Sequence, residues 1–363
     1  MEPMSTLNFP VIRGLQAGRE YYVAMWKLRT LKQISIFDDQ ELPPELRAQR
    51  TLNKSRVPEI ACYILDNPRD YVFSAITASI DSEVEFDPLD SAAVDGRLGI
   101  LKVPLDAKFI INDGQHRRAA ILSAMELRPE LANESIAVVF FLDKGLSRSQ
   151  QMFADLNRYA IRPSRSLGLL YDHRNEKAKL ARLVIMKSDV FRDIVDLEKS
   201  SLAPRSRKLF TLSAFYNACA DLVRDLATGD IEKDAQIARE FWDTVACHFP
   251  SWIQVRDGKL AASEVREGYI HSHGIALQAI GKTGNALLKS SPGGWKSRLK
   301  VLGQIDWSRR NARLWEGRAL IGGKVSKVTT NVILTTNILK HRLSIDLEPD
   351  EQRIEDAHGS GKE

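Results

Sequence analysis

Cysteine is scarce in this chain. Three thiols, Cys62, Cys219 and Cys247, stand far apart among 363 residues. None has metal-ligand spacing, which excludes a cysteine-held metal site. All three lie in apolar, helix-like contexts, so buried free thiols are expected, with a sulfur-handling role as the alternative. Long apolar runs are also missing. No stretch reaches the ~18–20 residues of a membrane-spanning helix. Residues Met1 to Pro10 lack the apolar segment of a signal peptide, so a cytoplasmic protein with no membrane partner is expected. Hydrolytic constellations are absent too: there is no Gly-x-Ser-x-Gly and no spaced carboxylate array. The only close histidine pair, His271-Ser272-His273, reads as a loop or helix cap. Ala276-x-x-x-x-Gly281-Lys282-Thr283 lacks the first glycine of a nucleotide-binding P-loop and follows a helical pattern, so the loop that such a motif needs is not there.

What is present is an ordinary globular balance, 44% hydrophobic and 27% charged, enough to bury a sizeable core. The net charge of +5 is modest, but its placement is uneven. From Lys282 to Lys327 eleven Lys/Arg face only Asp306 and Glu316, and from Arg158 to Arg182 seven face Asp172 and Glu176. From Asp346 to Glu363 seven acids face Arg353 and Lys362. A basic face suggests a polyanion partner, and an acidic flexible tail (346–363) suggests a competitor for that face.

Periodicity predicts an α+β fold in two parts. Val11-Ile12, Tyr21 to Trp26, Ile34 to Phe37, Val72 to Ile80, Leu98 to Val103, Lys108 to Ile111 and Ser135 to Leu142 read as strands. Leu42-Pro43-Pro44-Glu45-Leu46 opens one helical region, and Pro58 starts a second helix. Asp81 to Gly96 reads as a surface loop, and Ser147 to Asn157 as a helix capped by Ser147. Residues 1–157 form the first domain on this reading, and 158–345 a helical, basic, DNA-binding region. Within it, Lys199 to Lys208 breaks the pattern as a linker or DNA-contacting loop; Leu212 to Leu226, Asp234 to Phe249 and His271 to Leu288 are helices; Ser251 to Val265 is turn-rich. Arg310 to Leu320, Gly322-Gly323 and Thr329 to His341 are compatible with a helix-turn-helix. Trp295, Trp307 and Trp315 among its cations are expected in the core.

The centre of the chain is Phe109-Ile110-Ile111-Asn112-Asp113-Gly114-Gln115-His116-Arg117-Arg118. An apolar strand runs into turn residues and then a helix, a place where free backbone N–H groups favour an anion. Cations in that first turn oppose the helix dipole, and such charge suits a bound anion.

Asp113-Gly114-Gln115-His116-Arg117 resembles the signature of DGQHR-domain proteins, and Gly114-x-x-Arg117-x-x-Ala120 is similar to the phosphate motif of ParB-like and sulfiredoxin-like domains. The sulfiredoxin nucleophile is a cysteine; Gln115 stands there, so that chemistry is not available. Met152 to Asn157 and Pro163 to Leu167 resemble DGQHR proteins, and Phe9 to Gly14 and Asn311 to Arg318 resemble the DndB family of DNA phosphorothioation systems. The resemblance implies a ParB/sulfiredoxin-like first domain and a repressor that binds the promoter region of the modification genes. Its partners would be double-stranded DNA, a second copy in a homodimer, and other phosphorothioation proteins. The alternative is a nucleotide-binding ATPase or DNA-nicking component, with Asp113, Gly114, Gln115, His116, Arg117 and Arg118 holding ATP with Mg. The residues expected on DNA are Arg158, Arg162, Arg165 and Arg174, then Arg205, Arg207 and Lys208, then Arg309, Arg310, Arg313 and Arg318. Lys324, Ser326, Lys327, Thr329, Thr330 and Asn331, at the start of the last predicted helix, would add phosphate and base-edge contacts.

Overall fold

The computed structural model describes residues 6–32, 55–89, 93–144, 148–158 and 163–360. Arg162, the strand expected at Ile34 to Phe37, the helical start at Leu42 to Leu46 and the cap at Ser147 lie outside them. The chain is α+β and divides into two compact units, Met1–Ile161 and Arg162–Glu363.

The first unit holds β1 (Thr6–Gln16), β2 (Arg19–Lys27), α1 (Arg56–Asp66), β3 (Ile76–Asp81), β4 (Glu85–Pro88), β5 (Leu98–Pro104), β6 (Lys108–Asp113), α2 (Gln115–Leu127), β7 (Ser135–Leu142) and α3 (Ser149–Arg158). Seven strands form one sheet in the order β4-β5-β1-β2-β7-β3-β6. All neighbours are antiparallel except β3 and β7. β2, β5 and β7 bury alternate residues, as strands with one covered face do. β3 and β6 are buried almost throughout; Phe109-Ile110-Ile111 of β6 is the sequence form of that burial, whereas β3 carries the buried polar residues Thr77 and Ser79. The surface loop expected at Asp81 to Gly96 contains β4, and the strand expected from Val72 begins only at Ile76.

Asn112, expected in a turn, is instead the fully buried polar tie of this unit. Its Nδ2 donates to Ser79 Oγ at 2.6 Å, and its Oδ1 accepts from Ser149 Oγ at 2.8 Å. One side chain thus joins β3, β6 and α3, and both amide groups are satisfied, as burial requires. Asp143, also buried, accepts from Arg148 N at 3.1 and 3.2 Å just ahead of α3.

The second unit holds α4 (Arg165–Tyr171), α5 (Glu176–Lys187), α6 (Phe191–Ile194), β8 (Val195–Asp196), β9 (Phe210–Thr211), α7 (Leu212–Leu222), α8 (Ile231–Cys247), α9 (Pro250–Arg256), α10 (Ala262–Gly268), α11 (Gly274–Ser290), α12 (Trp295–Arg298), α13 (Ala312–Trp315), β10 (Leu320–Ile321), β11 (Lys324–Val325), α14 (Thr329–Arg342) and α15 (Pro349–Ser360). Side-chain caps start several helices: Asn175 for α5, Thr211 for α7 and Asp230 for α8 accept from first-turn N–H groups. The span expected to be turn-rich, Ser251 to Val265, carries most of α9 and the start of α10. α11 packs between α7 and α14. Gly281 makes the approach to α7 close, because a Cβ there would collide with Ala218 O. The P-loop-like residues are therefore mid-helix, with Gly281 and Thr283 buried. Trp242, Trp252, Trp307 and Trp315 are core, as expected for the last two, and Trp295 is buried beside Phe241. His271 is buried and accepts from Trp252 Nε1 at 3.0 Å. Burial drives its pKa down to about 3, and His273 adds to the shift, so the ring is neutral at ordinary pH.

Four expectations are corrected here. The helix expected from Arg310 to Leu320 is a single turn, α13: the chain becomes extended at Glu316, and Gly317 at φ +76° turns it away. Gly322 and Gly323, both at positive φ, form the two-residue turn of a hairpin between β10 and β11. There is accordingly no helix-turn-helix, and α14 is a buried central helix, with Thr335 and Thr336 donating back to Asn331 O and Val332 O. The acidic segment is not a flexible tail over its described length: it folds as α15 against α14. Glu355 pairs with Arg318, and Glu351 with Lys340 at 2.5 Å. Of the cysteines only Cys219 is buried; Cys62 and Cys247 are exposed.

Candidate functional site

β6 delivers Asp113 to the first turn of α2, and Gly114 at φ +105° makes the corner. No side chain caps this helix start. Arg117 folds back over it. Its Nη2 lies 2.6 Å from Asp113 Oδ2, its Nη1 donates to Ser74 O at 2.8 Å, and the same nitrogen reaches Ser74 Oγ. A Cβ at position 114 would stand 3.3 Å from that guanidinium, so glycine leaves it room. Arg118 turns inward, 9% exposed, and donates from Nε to Leu31 O at 3.0 Å. His116 is half-buried; burial first and Arg56 second hold its pKa below the usual value, against a smaller opposing pull from Asp113. Gln115 Oε1 is buried without a partner among the described residues.

Arg117 and Arg118 are thus hydrogen-bonded within the protein, through Asp113 and Ser74 and through Leu31 O. Among the described residues no cluster of three or more His, Cys, Asp or Glu could hold a metal.

The second unit gathers the other expected residues. Arg165, Arg205, Arg207, Arg310, Arg313, Lys324 and Lys327 are exposed and form no ion pair among the described residues. Arg158 and Arg174 are also exposed, the former at the end of α3 in the first unit. A chain of contacts joins much of this charge. Arg266 donates through Nη2 to Ala203 O (3.1 Å), Pro204 O (2.6 Å) and Ser206 O (3.3 Å), fixing the 199–208 loop that carries Arg205 and Arg207. Arg309 reaches Glu267 O at 3.5 Å and Gly323 O at 3.0 Å, binding α10 to the hairpin that carries Lys324. Arg165 donates to Asn217 Oδ1 at 3.0 Å, beside Lys327. The loop is thus an integral, latched part of the unit rather than a linker.

Four expected contacts are turned inward or spent. Arg318 forms a bidentate ion pair with Glu355 and donates to Leu334 O at 3.1 Å. Asn331 is buried and donates to Arg318 O, while its Oδ1 accepts from Ser326 Oγ at 3.2 Å. Lys208 donates to Asp193 O at 2.7 Å. Thr329 and Thr330 remain exposed at the start of α14. Arg266, Asn217 and Ser74 were not singled out in the sequence; isolated residues in unmarked segments, they become legible only through partners tens of positions away.

Mixed sheet, helical second unit and unpaired basic surface define an α+β protein suited to a polyanion. The family model for DndB, described as DNA-sulfur modification-associated, matches residues 9–346, nearly the whole chain. The chain belongs to the DndB family and so to the DNA sulfur modification system. No curated protein and no solved structure matches it. No helix among the described residues is long and apolar enough to cross a membrane.

Proposed function

We propose that this protein is a DNA-binding regulator of the DNA sulfur modification genes, docking on their promoter region through its second unit. The observation that carries the reading is the set of seven exposed cations without acidic partners. In the same unit Arg318 and Lys340 are paired with Glu355 and Glu351. An exposed cation costs little to keep solvated, and seven of one sign that no acid pairs suit a phosphate backbone. Family membership supplies the biological setting. Arg310, Arg313 and Lys324 neutralise backbone phosphates, each contributing about −0.9 to the salt slope on duplex DNA. Thr329 and Thr330 are the polar side chains best exposed for base edges, each base pair read being worth about 1–3 kcal/mol. A homodimer would present two such surfaces to a two-fold operator.

The test is binding to the promoter region of the chain's own gene cluster against shuffled DNA at physiological salt. A preference of about 10³-fold or more is expected. Equal, weak, salt-sensitive binding to both DNAs would overturn the regulator reading.

A further inference from the structure

A cavity of about 530 Å³ lies within the second unit, between α4, the 199–208 loop, α10 and the starts of α7, α11 and α14. That size falls within the range of ligand sites, about 300–1,000 Å³. Three cations from three separate segments line it, Arg165, Lys327 and Arg266. Leu202, Pro204 and Ala214 add apolar surface to the same lining.

The electrostatics of this lining are unbalanced. The Lys327 ammonium stands 3.4 Å from where a Cβ on Gly274 would be, at the N-terminus of the 17-residue α11. A cation there opposes the helix dipole. No side chain caps this helix, because His273, at the cap position, turns its Nε2 to Arg266 O at 2.8 Å. The acid nearest in effect, Asp221, is already taken by Arg224, Lys282 and Gln278, and Glu267 sits on α10. Lys327 has no hydrogen bond or ion pair among the described residues, and Arg266 Nη1 is buried without a partner. Lys327 is exposed by surface area, yet desolvation by the groups packed around it and, second, Arg165 lower its pKa, against a pull from Asp221. At the start of α2 the same conflict is answered by the Asp113–Arg117 ion pair; here Lys327 forms no ion pair among the described residues.

We propose that this cavity binds a phosphate monoester, the phosphoryl end of a nucleotide, with Arg165, Lys327 and the first amides of α11 as its partners. A phosphoryl group offers three acceptor oxygens and up to two negative charges, which match two cations and a helix start. The apolar lining residues Leu202, Pro204 and Ala214 receive the organic part. The proposal does not need the duplex-binding reading: of the seven exposed cations only Arg165 and Lys327 line the cavity, whereas Arg310, Arg313 and Lys324 lie outside it.

Calorimetric titration of the full chain with inorganic phosphate, AMP and a short 5′-phosphorylated single-stranded DNA tests it, using Lys327→Gln, Arg165→Gln and, as a control outside the cavity, Arg192→Gln at the exposed face of α6. Binding of AMP or of the oligonucleotide is expected, weakened at least about tenfold by each cavity variant and unchanged by the control. Thermal melting checks that both cavity variants fold. Tighter binding of AMP identifies a free nucleotide as the natural source, and tighter binding of the oligonucleotide a DNA end; either supports the site. No binding by the unaltered chain, or equal binding by folded cavity variants, overturns it. Gel shifts on promoter DNA with the same proteins separate the two readings: lost promoter preference with retained AMP binding removes the regulator and leaves the cavity.

Discussion

Arg117 shows how a single residue changes meaning once its neighbours are placed. A cation in the first turn of a helix looks unfavourable on its own, and the sequence alone makes a bound anion the natural remedy. The structure supplies Asp113 instead, from the residue just before the corner, together with Ser74. Arg117→Ala is therefore expected to lower the unfolding free energy by about 1–3 kcal/mol, the range for hydrogen bonds to charged groups, with promoter affinity unchanged. Urea denaturation and gel shifts measure the two. Unchanged stability with lost DNA affinity would place the DNA site at this turn. Glu355 gives a pH-dependent counterpart. Burial raises its pKa, but hydrogen bonds from Arg318 and Asn337 outweigh burial and leave it lowered. A lowered carboxyl stabilises fully above its unfolded value, about 4.3, and loses that contribution as the pH falls through the folded value. Glu355→Gln should accordingly melt earlier than the unaltered chain near neutrality, with the gap closing in acid. A gap that persists at low pH would show that the ion pair is not its source.

At the level of elements, legibility followed the reach of the determining contacts. α1, α7, α8, α11 and α14 were readable within a few residues, since their apolar periodicity is set locally. β5 and β7 alternate and were equally plain. The hairpin at Gly322-Gly323 was not, because two glycines say only that the chain turns, and the partner strands have two residues each. α14 announced itself as a helix but not as a buried one: its threonines and asparagines look solvated until Arg318, α11 and α15 close around them. The acidic segment misled for the same reason, since its partners Arg318 and Lys340 lie on other elements. The crossing of α7 and α11 yields a test at this scale. Gly281→Ala should destabilise by about 1–3 kcal/mol, the usual result of overpacking, because Ala218 O is backbone and cannot step aside. An unchanged melting temperature would mean that the helices separate at no cost.

For the whole molecule, composition indicated a polyanion partner, and the family match places the chain in DNA sulfur modification. The folded chain adds a division of labour among its cations. Some hold the structure together, as Arg117, Arg118, Arg318 and Lys340 do. Others are held at the surface without acids. The sequence could not separate these groups, because pairing depends on acids brought in from distant segments. The central claim is that the second group meets DNA, and the salt dependence of promoter binding tests it most directly. The slope of log K against log salt should flatten by about 0.9 for each of Arg310→Gln, Arg313→Gln and Lys324→Gln, and Arg118→Lys, in the first unit, should leave it unchanged. A slope that none of the three surface substitutions alters would contradict the account.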